Sequence, residues 1–211
     1  MATRIRKVSN IASEQRPTPR KIPRQARSTE TVQAIVEAAA RILERDGLGE
    51  FTTNAVAERA GVSIGSLYQY FPGKEALIGA LIVRETSLLM ADWETSLAAP
   101  TGREALAGLI ASAVTHQLRR PILARLLDLE EARLPFDKDT QDVTHRLRSI
   151  LLGVLGRADI PRQTDPDLAA QDVLAIIKGM VDAAGERGER DQAGLNLRVC
   201  RAVDGYLGST A

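Results

Sequence analysis

The stretch FTTNAVAERAGVSIGSLYQYF, residues 51–71, decides the fold of this chain. It divides into two short amphipathic segments, which predict one helix from about Thr53 to Ala60 and a second from about Ile64 to Phe71. Thr52 can cap the first helix and Ser63 the second, because a hydroxyl oxygen at this position accepts a hydrogen bond from a backbone N–H of the first turn. Each predicted helix therefore has its own start signal.

The two short helices meet at the tight turn Gly61–Ser63. Glycine can end a helix because it adopts the left-handed conformation without steric cost. Small side chains at Ala57 and Ala60 allow the two helices to cross closely. Larger apolar side chains are placed to face a shared core, and these are Val56, Val62, Leu67 and Phe71. Together these features predict a helix-turn-helix.

The rest of the chain predicts more helices and no strands. Aromatic residues make up only 3% of the 211 residues, which argues against a β-sandwich or barrel. Proline, glycine and capping signals divide the chain into about nine helices, among them a long fourth helix from about Lys74 to Leu97 and a fifth that Thr101 opens in a capping box. The expected fold is all-α, with an N-terminal three-helix bundle containing the helix-turn-helix and a C-terminal helical domain.

Charge is unevenly distributed along the sequence. Residues 1–27 carry eight basic side chains and one acidic one, whereas residues 28–75 carry four basic and seven acidic side chains. Three prolines and few apolar residues predict that residues 1–27 form a flexible tail. This tail is either a solubilising extension or a basic arm that contacts nucleic-acid phosphates and reaches into a minor groove.

Several classes of protein are excluded by what the sequence contains. One cysteine, Cys200, and two histidines, His116 and His145, cannot supply a disulfide framework or a four-ligand zinc site. No apolar run reaches the ~18 residues of a membrane span, and no secretory signal is apparent, so a cytoplasmic protein is expected. Phosphate-binding glycine loops and Gly-x-Ser-x-Gly elbows are missing, which argues against an enzyme. We expect no metal and no cofactor.

The outward face of the second short helix carries small, neutral and phenolic side chains. The candidates for DNA contact there are Ser63, Ile64, Gly65, Ser66, Tyr68, Gln69 and Tyr70, with Lys74 just beyond them. A helix N-terminus with small side chains can approach a phosphate backbone closely, and hydroxyl and amide groups can bond to phosphates and base edges. The alternative is that Tyr68, Tyr70 and Phe71 are core aromatics of a small bundle, and for Phe71 we favour that alternative.

These motifs resemble the DNA-binding signature of TetR-type transcriptional regulators. The residues that carry the resemblance are Thr52, Thr53, Val56, Ala57, Ala60–Ser63, Gly65–Tyr68, Tyr70, Phe71, Lys74, Glu75 and Leu77. The similarity covers about residues 28–80, and the plan of nine helices is similar over the full length. Beyond the flexible basic tail predicted at 1–27, it implies a helix-turn-helix DNA-binding domain at 28–75 and an effector-binding and dimerisation domain at 76–211.

The resemblance also implies roles for individual side chains. Phosphate contacts are implied for Thr53, Tyr68, Tyr70 and Lys74. Positions facing the major groove are implied for Ser63, Ile64, Gly65 and Ser66. Ile64 departs from the Lys, Arg or Pro often found at its position in the family, which leaves apolar contact with a thymine methyl group as its expected use.

We therefore expect a ligand-responsive transcriptional regulator, a repressor that binds a pseudo-palindromic operator in double-stranded DNA and is released by a small-molecule effector. The resemblance implies a homodimer through the last two helices, whose apolar stripes are wide enough for a core and a partner. Alternatives are a helical scaffold protein or a small all-helical enzyme.

No effector-binding residue can be assigned from the sequence. The rarer side chains in the C-terminal part are Trp93, His116, Phe136 and His145. Each has a plainer role, at a helix crossing for Trp93 and in solvent for the histidines. The charged pairs Arg119–Arg120 and Glu130–Glu131 are expected on solvated faces, and the effector pocket is expected to be chiefly aliphatic.

Overall fold

The computed structural model describes residues 26–133 and 138–208, and within these ranges the chain forms nine α-helices and no strand. The helices are α1 Ala26–Asp46, α2 Thr53–Ala60, α3 Ile64–Tyr70, α4 Lys74–Ser96, α5 Gly102–Arg119, α6 Pro121–Arg133, α7 Lys138–Leu155, α8 Pro166–Glu186 and α9 Gln192–Gly208. The all-α prediction is confirmed. Residues 1–25 of the predicted tail lie outside the described residues, and α1 already begins at Ala26. Phe136 also lies outside the described residues.

Local signals in the sequence set most of the helix boundaries. The hydroxyl oxygens of Thr52 and Ser63 accept hydrogen bonds from the backbone of α2 and α3, and Thr101 does the same for α5. Gly61 ends α2 at a φ of 67°, a left-handed conformation that favours glycine. Helix α1 begins at Ala26, so Ser28 and Thr29, both common capping residues, lie inside the helix.

Two apolar cores divide the molecule. The first core is formed by α1, α2, α3 and the start of α4 up to Ile82, and we call these elements (residues 28–82) the head. The second core is formed by the rest of α4 with α5, α7, α8 and α9, and we call residues 83–208 the body. Leu123 and Leu127 of α6 belong to the first core although they lie in the body. Because α4 runs through both cores and α6 packs on the head, two helices connect head and body.

Candidate nucleic-acid interface and internal cavity

Helix α3 is attached to the head by one face and exposed on the other. Leu67 is fully buried and Phe71, directly after the helix, is 1% exposed, so Phe71 lies in the core as favoured above. On the outer face Ile64 is 38% and Tyr68 43% exposed. Ser63, Gly65 and Gln69 are also exposed, and Ser66 is half-buried. The structure thus places most of the predicted DNA-contact residues together on one surface.

Gly65 has no steric partner that requires glycine. A Cβ atom at Gly65 would meet only the Oγ of Ser63, at 3.9 Å. Glycine inside a helix costs roughly 0.5–1 kcal/mol relative to alanine, and nothing within the described chain compensates for that cost. Because Gly65 has no side chain, the backbone of α3 is accessible at this position, and another molecule can approach it closely.

Hydroxyl groups on α3 and beside it form two close pairs. The Oγ1 of Thr53 and the phenol oxygen of Tyr68 are 3.1 Å apart, which brings together two of the residues predicted to contact phosphates. The Oγ atoms of Ser63 and Ser66 are 2.8 Å apart, while Ser63 Oγ also accepts from the Ser66 backbone N–H. A hydroxyl has one donor and two acceptor positions, so these groups keep capacity for an outside partner.

Tyr70 and Lys74 are more deeply embedded than the other predicted contacts. Tyr70 is half-buried and packs against the head core. The Nζ of Lys74 donates a 2.9 Å hydrogen bond to the carbonyl of Leu48 and lies 5.6 Å from the ring centroid of Phe51. An ammonium group has three donors, so a phosphate contact remains compatible with this position. Lys74 therefore also stabilises the head.

A cavity of about 560 Å³ is lined mainly by residues of the body. Most of the side chains around it are apolar, and they come from five helices, α4 to α8. The cavity is lined by Ile82, Val83, Glu85, Thr86, Leu89, Trp93, Ala113, His116, Gln117, Arg120, Leu123, Ala124, Leu127, Asp128, Leu147, Leu174, Ile177, Lys178, Val181 and Asp182. Its volume is that of a small-molecule site, for which about 300–1,000 Å³ is usual. The expected aliphatic pocket is thus present with polar groups added.

Charged groups at the cavity are arranged in ion pairs. The Nζ of Lys178 lies 2.8 Å from a carboxylate oxygen of Asp128 and 2.9 Å from one of Asp182. Burial opposes the charge on Lys178, but these two carboxylates raise its pKa above the ordinary value. Burial also raises the pKa of Asp182, although Lys178 partly counteracts this. One cationic side chain and two carboxylates thus lie together at one end of the cavity.

A second set of ion pairs connects the cavity to the head. Glu85, 8% exposed, accepts from Arg84 on its own helix and from Arg119 on α5. Arg120 lines the cavity and bonds to Glu44 and Glu37 of α1. Arg120 and Glu130 were expected on solvated faces, and this was wrong, because the α5–α6 junction packs on α1 and Glu130 is only 7% exposed.

Trp93 and His116 are two cavity residues that sequence reasoning did not assign. His116 was expected in solvent but is half-buried, and burial lowers the pKa of its imidazole. Trp93 is 2% exposed, in the second core, and its Nε1 has no hydrogen-bond partner. The scarcity of tryptophan was the only signal in the sequence, and scarcity does not say which cavity a side chain lines.

Sequence comparison identifies the family. A sequence model of bacterial regulatory proteins of the tetR family matches residues 35–81, which contain α2 and α3. Residues 35–81 therefore carry the sequence signature of the TetR family. SrpR, an HTH-type transcriptional regulator of Pseudomonas putida, is 25% identical over 159 residues, which are 74% of each chain. KstR, an HTH-type transcriptional repressor of Rhodococcus jostii, is 32% identical over 96 residues, 44% of this chain and 43% of KstR. The resemblance drawn from the helix-turn-helix is confirmed.

Solved structures share the fold of this chain. FadR of Bacillus subtilis, solved in complex with stearoyl-CoA, superposes with a TM-score of 0.71 at 21% identity, over 82% of this chain and 98% of FadR. A transcriptional regulator of Pseudomonas aeruginosa has a TM-score of 0.69 at 22% identity, over 88% of this chain and 94% of that one. At these identities the superpositions establish the fold.

Within the described part of the chain, neither a candidate membrane-spanning helix nor a candidate metal site is present. None of its helices is long and apolar enough to cross a bilayer. Nor do its side chains bring three or more His, Cys, Asp or Glu residues together as a metal site.

Proposed function

We propose that this TetR-family protein is a ligand-responsive, DNA-binding repressor of the cytoplasm, not an enzyme. Residues 28–75 would bind the operator, and residues 76–211 would bind the effector and a second copy of the chain. The observation that carries the DNA-binding part is Gly65, a helical glycine on an exposed face for which the described chain gives no steric reason. The cavity carries the ligand-binding part.

On DNA, α3 enters the major groove with its N-terminal turn foremost. Ser63, Ile64, Gly65 and Ser66 face the base edges, and Gln69 adds an amide that can bond to adenine. Thr53, Tyr68, Tyr70 and Lys74 contact phosphates and thereby fix the position of α3 in the groove. The head carries more acidic than basic side chains, so these contacts rely on hydroxyl groups more than on net charge.

A homodimer forms through α8 and α9. Both helices turn one face to their own core and leave the opposite face exposed in the single chain. Leu168 of α8 and Leu197 of α9 are 52% and 55% exposed. Ala175 and Gly179 of α8 are also exposed, and their small size allows close approach of a partner helix. Two-fold symmetry then presents two α3 helices to successive major grooves, about 34–36 Å apart on a pseudo-palindrome.

Effector binding in the cavity releases the operator. The structural neighbour FadR is in complex with stearoyl-CoA, and the cavity here has the volume for a small molecule of its own. A ligand that binds one separation of the two heads better than the other shifts the equilibrium by its difference in affinity. Helices α4 and α6 contact both the cavity and the head, so they transmit that difference.

Gly65→Leu tests the DNA-binding proposal directly. Selection from random duplex DNA should first enrich a pseudo-palindromic sequence, which then serves as the operator in fluorescence anisotropy. Because a side chain at Gly65 meets open space, the variant should keep its melting temperature and lose at least about tenfold in operator affinity, as expected when a side chain blocks base contacts.

Gly153→Leu is the matched control. Gly153 is an exposed helical glycine of α7 with nothing within 4 Å of its Cβ position, so its substitution should leave operator affinity unchanged. Equal affinities for wild type and the Gly65→Leu variant, or the absence of any enriched palindrome, would refute the proposal.

The basic tail is a separate part of the proposal. Residues 1–27 carry eight basic side chains and one acidic one, and we assign them to phosphate contacts beside the operator. Deletion of residues 1–25 should lower operator affinity and reduce the slope of log K against log salt concentration, since fewer counterions are released. An unchanged slope would indicate that the tail does not contact phosphates and is a solubilising extension.

A further inference from the structure

The side-chain amide of Gln117 is enclosed by protein but has no partner there. Gln117 lies on α5, is only 6% exposed and lines the cavity. Within the described residues its amide forms no hydrogen bond, yet both amide atoms keep accessible surface. Because the residue is otherwise buried, that surface faces the cavity. An amide offers two donors and one acceptor, so a molecule in the cavity can satisfy it.

The amide lies close to the charged side chains of α8 and α6. A Cβ atom at Gly185 of α8 would be 2.8 Å from Nε2 of Gln117. Residues three apart in a helix lie on the same side, so the amide rests one turn beyond Asp182. One turn before Asp182, the Nζ of Lys178 bonds to Asp182 and to Asp128 of α6. One end of the cavity thus combines a free amide with two carboxylates and one ammonium group.

This end of the cavity carries an excess of negative charge. Lys178 occupies one oxygen of each carboxylate, Oδ1 of Asp128 and Oδ2 of Asp182. In the part of the chain that the structure describes, the other oxygen of each carboxylate forms no bond and remains accessible. Burial, with repulsion from Asp128 and Glu186, raises the pKa of Asp182, and Lys178 only partly counteracts this. One lysine therefore does not neutralise both carboxylates, and a second cation is attracted to them.

An anionic ligand finds no uncommitted cation on the described lining. Its only two cationic side chains are Lys178 and Arg120. Arg120 donates from Nε and Nη2 to Glu44 and from Nη1 to Glu37. Burial lowers the pKa of the His116 imidazole and so favours its neutral form. Binding an anion would mean breaking one of these ion pairs, which is unfavourable.

The remaining lining is already paired or apolar. Glu85, the third carboxylate, accepts from Arg84 and Arg119. The hydroxyl of Thr86 donates to the carbonyl of Ile82. Most of the other side chains are aliphatic, among them Leu89, Leu123, Leu174, Ile177 and Val181. The cavity therefore has an apolar wall and one polar end with an excess of carboxylate.

We infer that the cavity binds an amphipathic cation, an apolar molecule that carries a protonated amine, and that this amine donates to the free oxygens of Asp128 and Asp182 and to the amide of Gln117. The apolar part fills the space among the aliphatic side chains, where removal from water stabilises it. The inference rests on the proposed function in one respect, that the cavity is the effector site. It names the chemical class of the effector and the side chains that select it.

The test uses two carbon skeletons, each in three forms. The linear skeleton is supplied as dodecylamine, dodecanol and dodecanoate, and the cyclic one as adamantanamine, adamantanol and adamantanecarboxylate. At neutral pH the amines are cationic, the alcohols neutral and the carboxylates anionic. Trp93 is the only tryptophan in the chain and lines the cavity, so its fluorescence reports binding. The melting temperature gives a second measure.

On at least one skeleton, the wild-type protein should bind the amine at least about threefold more tightly than the other two forms, as expected of a partly exposed ion pair. Asp182→Asn should lower amine affinity about three- to tenfold, the effect of one charge-assisted hydrogen bond partly screened by water. Alcohol affinity should change little. The matched control is Asp204→Asn, because Asp204 is exposed on α9 and does not line the cavity. This control should bind the amine as the wild type does.

Gln117→Met distinguishes an amide that binds ligand from one that stabilises the fold. Methionine is similar in length and flexibility but lacks the amide. Because the amide has no partner within the protein, the ligand-free variant should melt no lower than the wild type. Its affinity for the amine should fall about two- to tenfold, the usual range for one hydrogen bond. A lower melting temperature with unchanged amine affinity would overturn the role assigned to Gln117.

The inference is overturned if the alcohol or the carboxylate binds as tightly as the amine on both skeletons, or if neither amine binds. Equal losses of amine affinity in Asp182→Asn and Asp204→Asn would do the same. The wild-type ranking needs no variant, so the inference stays testable even if a substitution impairs folding.

These binding results are independent of DNA. Operator binding without amine binding would leave the DNA-binding proposal intact and reject the ligand class. Amine binding that does not lower operator affinity would reject the release mechanism alone.

Discussion

Arg120 and Glu44 form a two-pronged ion pair between the cavity and the head. The Nε of Arg120 donates to Oε1 of Glu44 at 2.6 Å, and its Nη2 donates to Oε2 at 2.5 Å. A third bond, 3.2 Å long, joins Nη1 to Glu37. Hydrogen bonds to Glu44 raise the pKa of the guanidinium further, so it stays charged. One side chain thus lines the cavity and holds the first helix of the head.

Arg120→Met should lower the stability of the protein and weaken the coupling between effector binding and operator binding. The side chains of Arg120 and Glu44 are only 20% and 27% exposed, and charge-assisted hydrogen bonds of this kind contribute about 1–3 kcal/mol. We expect a loss of that size in the free energy of unfolding, measured with urea. The factor by which an effector in the cavity lowers operator affinity should also decrease, because one connection between cavity and head is gone.

The control for this variant is Arg125→Met. Arg125 is exposed on α6, the helix that begins directly after Arg120, and its substitution should leave stability and coupling near the wild-type values. A double variant with Glu44→Gln should cost less than the sum of the two single variants, since both remove the same contact. If the two losses in the free energy of unfolding are strictly additive, the interaction between Arg120 and Glu44 does not contribute to stability.

Local signals made the head predictable from the sequence, whereas the cavity depends on contacts between distant residues. Thr52 and Ser63 cap helices that begin at the next residue, and such a cap needs only its neighbours along the chain. Arg120 meets Glu44 across 76 residues, and no periodicity in either helix indicates that pairing. The cavity is lined by five helices, so its lining depends on how those helices cross.

Ile64 should recognise a thymine methyl group. Its side chain is 38% exposed on the outer face of α3, and contact with one methyl group contributes about 0.8 kcal/mol. Replacing the relevant thymine by uracil, which lacks this methyl, should lower wild-type operator affinity about fourfold. The Ile64→Ala variant should show almost no difference between the two operators. If uracil substitution at every thymine leaves wild-type affinity unchanged, Ile64 does not read a methyl group.

His116 should make the protein less stable in mild acid. The ordinary pKa of the imidazole is 6.5, and burial lowers it in the folded chain, with Glu85 partly counteracting and Arg119 adding to the effect. Between 6.5 and that lowered value the unfolded chain binds more protons than the folded chain, so the free energy of unfolding falls as pH falls through this window. Urea unfolding at successive pH values measures the slope.

His116→Gln should flatten that slope. The matched control is His145→Gln, because His145 is the other histidine of the chain and is exposed. The control variant should retain the wild-type dependence on pH. Identical slopes for both variants would place the acid sensitivity elsewhere in the molecule.

Gly179→Arg should separate the proposed dimer into monomers. Nothing lies within 4 Å of a Cβ atom at Gly179 in the single chain, so the arginine fits the protomer, but it would project from the exposed face of α8 into a partner. Sedimentation measures the change in mass, and a shift to monomer should accompany a loss of operator affinity. Gly153→Arg on α7 serves as the control. A dimer that persists in the Gly179→Arg variant would exclude this face of α8 from the interface.

Gly102 and Gly153 are two helical glycines for which opposite effects on stability are expected. A Cβ atom at Gly102 would lie 2.8 Å from Oδ1 of Asp159 and 2.8 Å from Cγ1 of Ile160. Asp159 accepts hydrogen bonds from the backbone N–H groups of Gly102 and Arg103, at 2.8 and 2.9 Å, and so satisfies the start of α5 from a distant loop. Gly102→Ala must displace that loop and should cost about 1–3 kcal/mol.

Gly153→Ala places the same methyl group in open space, and it should raise stability by about 0.5–1 kcal/mol, since alanine restricts the unfolded chain more than glycine does. The difference between the two variants in urea unfolding isolates the close approach of Asp159. These bonds hold the end of α5 that is remote from Arg120. Operator affinity, measured under conditions in which both variants are fully folded, should therefore be the same in both. A Gly102→Ala protein as stable as the Gly153→Ala protein would show that the loop moves aside at no cost.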